Sequence, residues 1–314
     1  MAGMPAAQRP TCAPKGKPVS WIQLRLDTHP EQVEQLEERM LASGAVAVTM
    51  EDNANQPVLE PAVGETPLWG QTRLTGLYPA DTDMHAVLAH FPEPLLAQCN
   101  QRIEILEDKD WEREWMQHYQ PMQFGKRLWV CPSWLEPPEP DAVNLLLDPG
   151  LAFGTGTHPT TALCLAELDS MRLEEQVVVD YGCGSGILAV AALKLGAIEA
   201  LGVDNDPQAL AASRDNAGRN GVDPELFPVA LPGQYDTDHW LQRADTVIAN
   251  ILAGPLMELS GTLLHCLKPG GTLMLSGLLA TQAPGMIEHY ASKLPLRVAG
   301  EHEGWVCLRG ELPK

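Results

Sequence analysis

The segment Val177–Ile187, VVVDYGCGSGI, decides the fold of this chain. It begins as an apolar run that ends in Asp180, passes through three glycines at alternating positions, and leads into a helical pattern over Ile187–Leu195. Glycine lets the backbone turn tightly and approach a ligand closely. An apolar strand followed by such a loop and a helix is typical of nucleotide-binding α/β domains.

The spacing of the glycines distinguishes two kinds of nucleotide site. A dinucleotide-binding loop has its third glycine three positions after the second, and Ile187 occupies that position here. Gly182, Gly184 and Gly186 have GxGxG spacing instead, which resembles motif I of S-adenosylmethionine-dependent methyltransferases. In this interpretation the glycines make room for the methionine portion and the adenosine of the cofactor. The missing glycine disfavours the alternative of a nicotinamide oxidoreductase.

A second acidic residue ends the next predicted strand. The apolar run Ala200–Asp204 follows the glycine loop, and Asp204 stands at its end. A carboxylate at the tip of this strand can accept hydrogen bonds from both ribose hydroxyls of a nucleoside, so we predict that Asp204 binds the ribose. Asp206 is the alternative ribose ligand, although the Pro207 that follows it favours a role as the cap of the next helix.

Predicted strands and helices alternate from about residue 125 to the C-terminus. This alternation predicts an α/β domain with a doubly wound, Rossmann-like parallel sheet that helices cover on both faces. Ligands of such sheets bind beyond the carboxyl ends of the strands. The predicted elements are the strands Val177–Asp180, Ala200–Asp204, Thr246–Asn250, Thr272–Ser276 and Val306–Leu308 and the helices Ile187–Leu195 and Gln208–Asn220.

The N-terminal part of the chain predicts a second, smaller α+β module. Its order is β-α-β-β-α-β, the ferredoxin-like pattern. The predicted elements are strands at Trp21–Leu26, Ala45–Met50, Leu68–Leu77 and Arg102–Leu106, a helix that begins at Pro30 and buries Val33, Leu36, Met40 and Leu41, and a helix capped by Asp83. These patterns divide the chain into a flexible extension (1–18), a ferredoxin-like domain (19–106), a connector helix and linker (107–124) and a nucleotide-binding domain (125–314).

The connector carries two tryptophans one helical turn apart. Trp111 and Trp115 would share one helical face, and packing on a domain is favoured over contact with a substrate.

Composition limits the partners and the compartment. Acidic residues number 41 and basic residues 21, for a net charge of −20, so the surface suits a basic protein better than naked nucleic acid, and no direct nucleic-acid contact is expected. No run of about 18 apolar residues predicts a membrane span, and no signal segment is evident. The seven cysteines are scattered without a CxxC pair, which predicts neither disulfides nor a metal site and favours the cytoplasm.

Four longer motifs make the chain similar to a known family. They are Glu107–Trp115 (EDKDWEREW), Asp148–Thr161 (DPGLAFGTGTHPTT), the glycine loop, and Asn250–Pro255 (NILAGP). Together they resemble the ribosomal protein L11 methyltransferase family from about Trp21 to the C-terminus. The resemblance implies a ferredoxin-like substrate-recognition domain joined to a class I methyltransferase domain that uses S-adenosylmethionine.

The resemblance also implies a substrate and a set of cofactor residues. The family methylates the N-terminal α-amine and lysine ε-amines of the large-subunit ribosomal protein L11 in several transfers, so trimethylation is expected. A monomer is expected as well, because nothing in the sequence demands a larger assembly. Carried over by motif, the cofactor residues are Thr161, Gly182, Asp204 and Asn250, to which the loop itself adds Asp180, Gly184 and Gly186.

Methyl transfer to an amine requires a neutral nitrogen and accurate positioning. A lysine, with a pKa of about 10.4, is harder to deprotonate than an α-amine near about 8, and burial lowers that cost. Asn250 ends the predicted fourth strand of the sheet. Its side-chain oxygen can accept an N–H from the amine and aim the lone pair, so we predict that Asn250 is catalytic. The structural alternative is an Asn that completes a strand-end turn.

The segment before the glycine loop predicts a covering loop. We expect residues 151–157, with Phe153, Gly154 and Thr155, to fold over the cofactor and close the substrate channel. Thr161 is expected to bind the methionine carboxylate or amine, or else to serve as a helix-start hydroxyl. His158 is either a general base or a residue that caps the helix and holds the loop.

Two further alternatives stay open from the sequence. A nucleic-acid or small-molecule methyltransferase could use the same fold, although acidic residues far outnumber basic ones between residues 18 and 100. A binding protein could retain the cofactor fold without catalysis, although Asp180, Gly182, Asp204 and Asn250 are all present.

Overall fold

The computed structural model describes residues 21–54, 68–106, 119–148 and 156–314. The chain divides into two compact units, Met1–Met116 and Gln117–Lys314. The predictions for the N-terminal extension, for the connector tryptophans Trp111 and Trp115, and for Phe153, Gly154 and Thr155 lie outside the described residues.

The first unit contains a four-stranded antiparallel sheet with the order β2-β3-β1-β4. The predicted order of elements, β-α-β-β-α-β, is confirmed with two differences. Strand β3 begins after Gly70, and a second short helix precedes β4. The elements are β1 (Trp21–Thr28), α1 (Pro30–Ala42), β2 (Ala47–Asp52), β3 (Thr72–Pro79), α2 (Met84–Ala89), α3 (Glu93–Leu96) and β4 (Asn100–Leu106).

The core of the first unit forms where the helices meet alternate residues of the central strands. Leu24 and Leu26 are buried on one face of β1, and α1 buries its apolar stripe against the same core. Leu41 was predicted in that stripe but is 50% exposed, because it lies about 100° around the helix from Met40. Asp83 caps α2 as predicted, since its carboxylate accepts a bond from His85 N.

The second unit contains a seven-stranded sheet with the order β10-β9-β8-β11-β12-β14-β13. Strands β8 to β12 pair in parallel, and β14 runs antiparallel to β12 and β13. The strands are β8 (Val177–Tyr181), β9 (Glu199–Val203), β10 (Val229–Ala230), β11 (Ala244–Asn250), β12 (Leu267–Leu279), β13 (Leu296–His302) and β14 (Trp305–Glu311). The helices are α4 (Pro159–Ser170), α5 (Ile187–Lys194), α6 (Pro207–Arg219), α7 (Thr237–Trp240), α8 (Ala253–Glu258), α9 (Ser260–Cys266) and α10 (Ala283–Tyr290).

Two apolar cores lie on opposite faces of this sheet. Alternate residues of one strand belong to different cores: Val178 packs into one, whereas Val177 and Val179 pack into the other. The predicted doubly wound α/β domain is therefore confirmed. No helix among the described residues is long and apolar enough to cross a membrane.

A three-stranded sheet precedes the large one and was not predicted. It pairs β5 (Met122–Phe124) with β6 (Leu128–Cys131), and β6 with β7 (Val143–Leu146). Met122–Phe124 was placed at the end of the connector, yet Phe124 is buried in the core of the second unit. The strands are too short to show a clear period, which explains why the sequence pattern did not reveal them.

Candidate active site

The glycine loop between β8 and α5 adopts backbone angles that favour glycine. Gly182, Gly184 and Gly186 have φ angles of 81°, 53° and 75°, a left-handed region that side chains disfavour. A Cβ on Gly182 would collide with the side chain of Ile251. The loop can therefore lie against the chain that leaves β11 only because residue 182 is glycine.

Asp204 lies at the tip of β9 and faces this loop. Its Oδ2 accepts a bond from Gly184 N at 2.8 Å and its Oδ1 one from Asp206 N at 3.0 Å. A carboxylate oxygen can accept two bonds, so each oxygen keeps a lone pair for a ligand. Asp206 instead caps α6, where its carboxylate accepts a bond from Gln208 N at 2.8 Å.

A cavity of about 480 Å³ opens between the glycine loop, the tip of β9 and the end of β11. We call it the Asp204 cavity. The carboxylate of Asp204 and the backbone of the loop form its polar side, and apolar residues after β11 form the other. Its lining residues are Tyr181, Gly182, Gly184, Val203, Asp204, Asn205, Pro232, Asn250, Ile251, Leu252, Pro255 and Leu259.

Asp180 lies behind the loop and is not among the residues that line this cavity. It is fully buried, and its Oδ2 accepts a bond from Ala189 N of α5 at 3.2 Å. Its Oδ1 has no hydrogen-bond partner within the described part of the chain. Burial raises the pKa of Asp180 to about 7. Asp180 thus ties β8 to α5, and its predicted contact with the cofactor stays a prediction.

Asn250 and Thr161 meet at the end of β11. Asn250 Nδ2 donates to Thr161 Oγ1 at 3.3 Å, and Thr161 is fully buried on α4. The other end of the amide, Oδ1, is buried without a partner among residues that the structure describes. A buried acceptor without a donor costs free energy, so a bound ligand that supplied an N–H to this oxygen would remove that cost.

Gly277 of β12 holds the turn after Asn250 in place. Its φ is +85°, and a Cβ there would lie 2.7 Å from Ile251 C and 2.9 Å from Ile251 N. The backbone of β12 can approach the turn this closely only without a side chain. Asn250, Ile251 and Leu252, which we call the Asn250 turn, are thereby packed between β12 and the glycine loop.

A second cavity, of about 320 Å³, is also lined by the Asn250 turn. We call it the Trp305 cavity. All three residues of the turn line both cavities, so Asn250 can reach ligands in each. Its lining residues are His158, Thr160, Asn250, Ile251, Leu252, Gly277 and Trp305.

His158 caps α4 at the edge of the Trp305 cavity. Its Nδ1 accepts a bond from Thr160 N at 3.3 Å, and its ring meets Trp305 edge to face with centroids 5.0 Å apart. Burial lowers the pKa of His158, against the smaller opposing effect of Glu303. The ring is therefore neutral near pH 7. Of the two roles left open by the sequence, this geometry supports the capping role.

Several lining residues were not singled out from the sequence. Three of them come one or two residues after the end of a predicted strand, namely Tyr181, Leu252 and Gly277. Trp305 comes directly before the predicted strand that begins at Val306. The rule that ligands bind beyond the carboxyl ends of parallel strands would have pointed to the first three. Trp305 lies on an antiparallel strand, to which that rule does not apply.

The residues of the Asp204 cavity fit S-adenosylmethionine. The carboxylate of Asp204 keeps free lone pairs for ribose hydroxyls, and its negative charge suits a cationic ligand, while the backbone of Gly182 and Gly184 lines the same cavity. Asn250 lines both this cavity and the Trp305 cavity, and its Oδ1 has no donor among the described residues.

Comparison with known proteins gives consistent matches. Residues 20–313 match the family described as ribosomal protein L11 methyltransferase (PrmA). The chain is 56% identical to the ribosomal protein L11 methyltransferase of Pectobacterium atrosepticum, over 93% of this chain and 98% of that protein, and 54% identical to that of Pseudomonas paraeruginosa, over 92% and 98%. A crystal structure of ribosomal protein L11 methylase from Lactobacillus delbrueckii subsp. bulgaricus is 30% identical, with a TM-score of 0.54, covering 62% of this chain and all of that one.

Proposed function

Because the chain belongs to the ribosomal protein L11 methyltransferase family, we propose that it transfers methyl groups from S-adenosylmethionine to amines of ribosomal protein L11. The targets are the N-terminal α-amine and lysine ε-amines, and each is methylated repeatedly, up to three times. One observation carries the chemistry: Asn250 lines two cavities at once, and its buried Oδ1 lacks a donor among the described residues.

The Asp204 cavity is the proposed cofactor site. Asp204 accepts hydrogen bonds from the ribose hydroxyls, while the backbone of Gly182 and Gly184 lies against the nucleoside. Thr161 and Asn250 are proposed to hold the methionine end, supported by their mutual bond of 3.3 Å. S-adenosylmethionine supplies an electrophilic methyl group on a sulfonium when it is bound.

The Trp305 cavity is the proposed entry for the target amine. Its apolar lining disfavours a charged ammonium and favours the neutral amine that carries a lone pair. Asn250 Oδ1 accepts an N–H from this amine, which turns the lone pair toward the cofactor side of the Asn250 turn. His158 accepts a backbone N–H through Nδ1, so we assign it to positioning and let water take the proton.

The first unit is proposed to be a ferredoxin-like domain that recognises the substrate. The antiparallel order β2-β3-β1-β4 and the helices after β1 and β3 support this fold. The excess of acidic over basic residues supports binding of a basic ribosomal protein. We further propose that the protein acts in the cytoplasm, because ribosomal proteins are made and assembled there. We also propose that it is a monomer.

Labelled cofactor tests this function directly. The full-length protein is incubated with purified L11, ribosomal RNA and S-adenosylmethionine carrying a labelled methyl group. We expect label in L11, at its N-terminus and at lysines, with L11 heavier by several methyl groups. Label in RNA or in a small molecule would favour the alternative methyltransferases, and cofactor binding without any label transfer would favour a non-catalytic binding protein.

A further inference from the structure

Repeated methylation changes what the target nitrogen can offer to Asn250. A neutral primary amine has two N–H groups, its monomethyl form has one, and its dimethyl form has none. Asn250 Oδ1 is an acceptor and needs an N–H. It can orient the nitrogen in the first and second transfers, but it has nothing to accept in the third.

The walls of the Trp305 cavity suit the dimethylated nitrogen, which has no N–H for Asn250 to accept. Ile251 and Leu252 offer apolar contacts, and Trp305 lines the same cavity. The neighbouring His158 ring meets this indole edge to face at 68° and places no positive charge beside a developing ammonium. An aromatic face attracts methylated ammonium groups, and each added methyl group increases apolar contact.

The position of the indole is set by the sheet rather than by a loop. Trp305 begins β14, where it pairs with Leu279 of β12 and with His302 of β13. Gly277 lies two residues before Leu279 on β12 and lines the same cavity. An aromatic wall can hold a nitrogen by shape and charge without a hydrogen bond.

We propose that Trp305 is the residue that determines how many methyl groups are added, because it holds the dimethylated nitrogen for the third transfer. This inference rests on the proposed function of repeated amine methylation. In that step the nitrogen lone pair forms the new N–CH₃ bond while the S–CH₃ bond breaks and leaves its electron pair on sulfur. The positive charge moves from sulfur to nitrogen beside the indole, and no proton is released in the third transfer.

The test compares transfers to unmethylated and to dimethylated amines. Full-length wild-type, Trp305→Ala and Trp305→Phe proteins are incubated with L11 and S-adenosylmethionine, and the mono-, di- and trimethyl forms are followed by mass spectrometry. We expect Trp305→Ala to slow the third transfer about tenfold more than the first, so that the dimethyl form accumulates. Trp305→Phe should restore most trimethylation because it keeps an aromatic face.

Two further variants separate this role from general damage. Trp240→Phe removes a buried indole outside both cavities and should leave the product ratios unchanged. Asn250→Ala should show the opposite pattern, with the first transfer slowed more than the third. Circular dichroism spectra and thermal unfolding of each variant check that the fold is retained.

The outcomes separate this inference from the function on which it rests. Equal slowing of all three transfers by Trp305→Ala, or unchanged product ratios, would overturn the role of Trp305. A wild-type protein that leaves L11 unmethylated would contradict the proposed function instead.

Discussion

The two cavities that share the Asn250 turn are lined by different kinds of residue. The Asp204 cavity, about 480 Å³, has a carboxylate and a glycine backbone on one side, whereas the Trp305 cavity, about 320 Å³, is walled by aromatic and apolar side chains. A cavity that contains a carboxylate suits a cationic nucleoside, and one without a charged side chain favours an uncharged amine. If the proposed function holds, this difference lets a single strand end bring together two reactants with opposite requirements.

The largest loss of activity is expected from a substitution at Gly277, because the backbone contact between Gly277 and Ile251 supports the turn that lines both cavities. Gly277→Ala places a Cβ within 3 Å of Ile251 at a φ of +85°, which must shift the Asn250 turn. A misplacement of about 1 Å can lower a rate about 100-fold, so we expect a loss of that size in kcat/KM for L11. Gly285→Ala is the control, because its Cβ would meet no atom within 4 Å. Near-normal activity of Gly277→Ala would show that the turn does not organise the site.

The next largest effect is expected from a substitution that changes only the Asp204 cavity. Asp204→Ala removes the carboxylate from the Asp204 cavity and leaves the Trp305 cavity intact, so we expect cofactor affinity to fall about 30-fold, the worth of about 2 kcal/mol of charged hydrogen bonds. Asp206→Ala is the matched control, since it removes the cap of α6 at a cost of about 1 kcal/mol of stability. Calorimetric titration should show weakened binding only for Asp204→Ala. Equal affinities would remove Asp204 from the cofactor site.

The buried carboxylate of Asp180 makes the stability of the protein depend on pH. Burial raises the pKa of Asp180 to about 7, above its unfolded value, so the folded protein binds the extra proton between about pH 4 and 7. The contribution of Asp180 to the free energy of unfolding therefore falls as pH rises through that range, and it is constant above it. Asp180→Asn should gain in Tm relative to wild type between pH 4 and 7. A difference that does not change with pH would contradict the buried, protonated state.

The smallest effect concerns the edge of the Trp305 cavity. His158→Ala removes the cap of α4 and should cost about 1 kcal/mol of stability, while the rate of methylation stays within a few-fold of wild type at every pH. His158→Asn should recover the stability, because Asn is a good N-cap. Methylation rates measured across pH provide the check. A fall of about 100-fold that removes one limb of the pH profile would restore His158 as a general base.

The parts of the site that the sequence predicted follow local rules. Asp204 and Asn250 stand at strand ends, the GxGxG loop requires positive φ angles, and Asp206 precedes a proline that begins a helix. Each of these statements needs only a short stretch of chain. The doubly wound sheet followed in the same way from the alternation of apolar strands and helices.

The parts that were missed depend on long-range pairing. Trp305 reaches its cavity only because β14 runs antiparallel beside β12, in a register that sets it opposite Leu279. Gly277 matters because β12 passes the Asn250 turn, a contact between segments more than twenty residues apart. The short strands β5 to β7 and β10 leave no period to detect. Phe153, Gly154 and Thr155 lie outside the described residues, so the covering loop stays a prediction.

The central claim is that the methyl group meets the amine at Asn250. The measurement that tests it is the initial rate of methyl transfer to unmethylated L11 by Asn250→Ala, followed by mass at saturating S-adenosylmethionine. The account predicts a rate at least about tenfold below wild type, because an oriented hydrogen bond to the reacting nitrogen is lost. A variant that methylates L11 at the wild-type rate would contradict it.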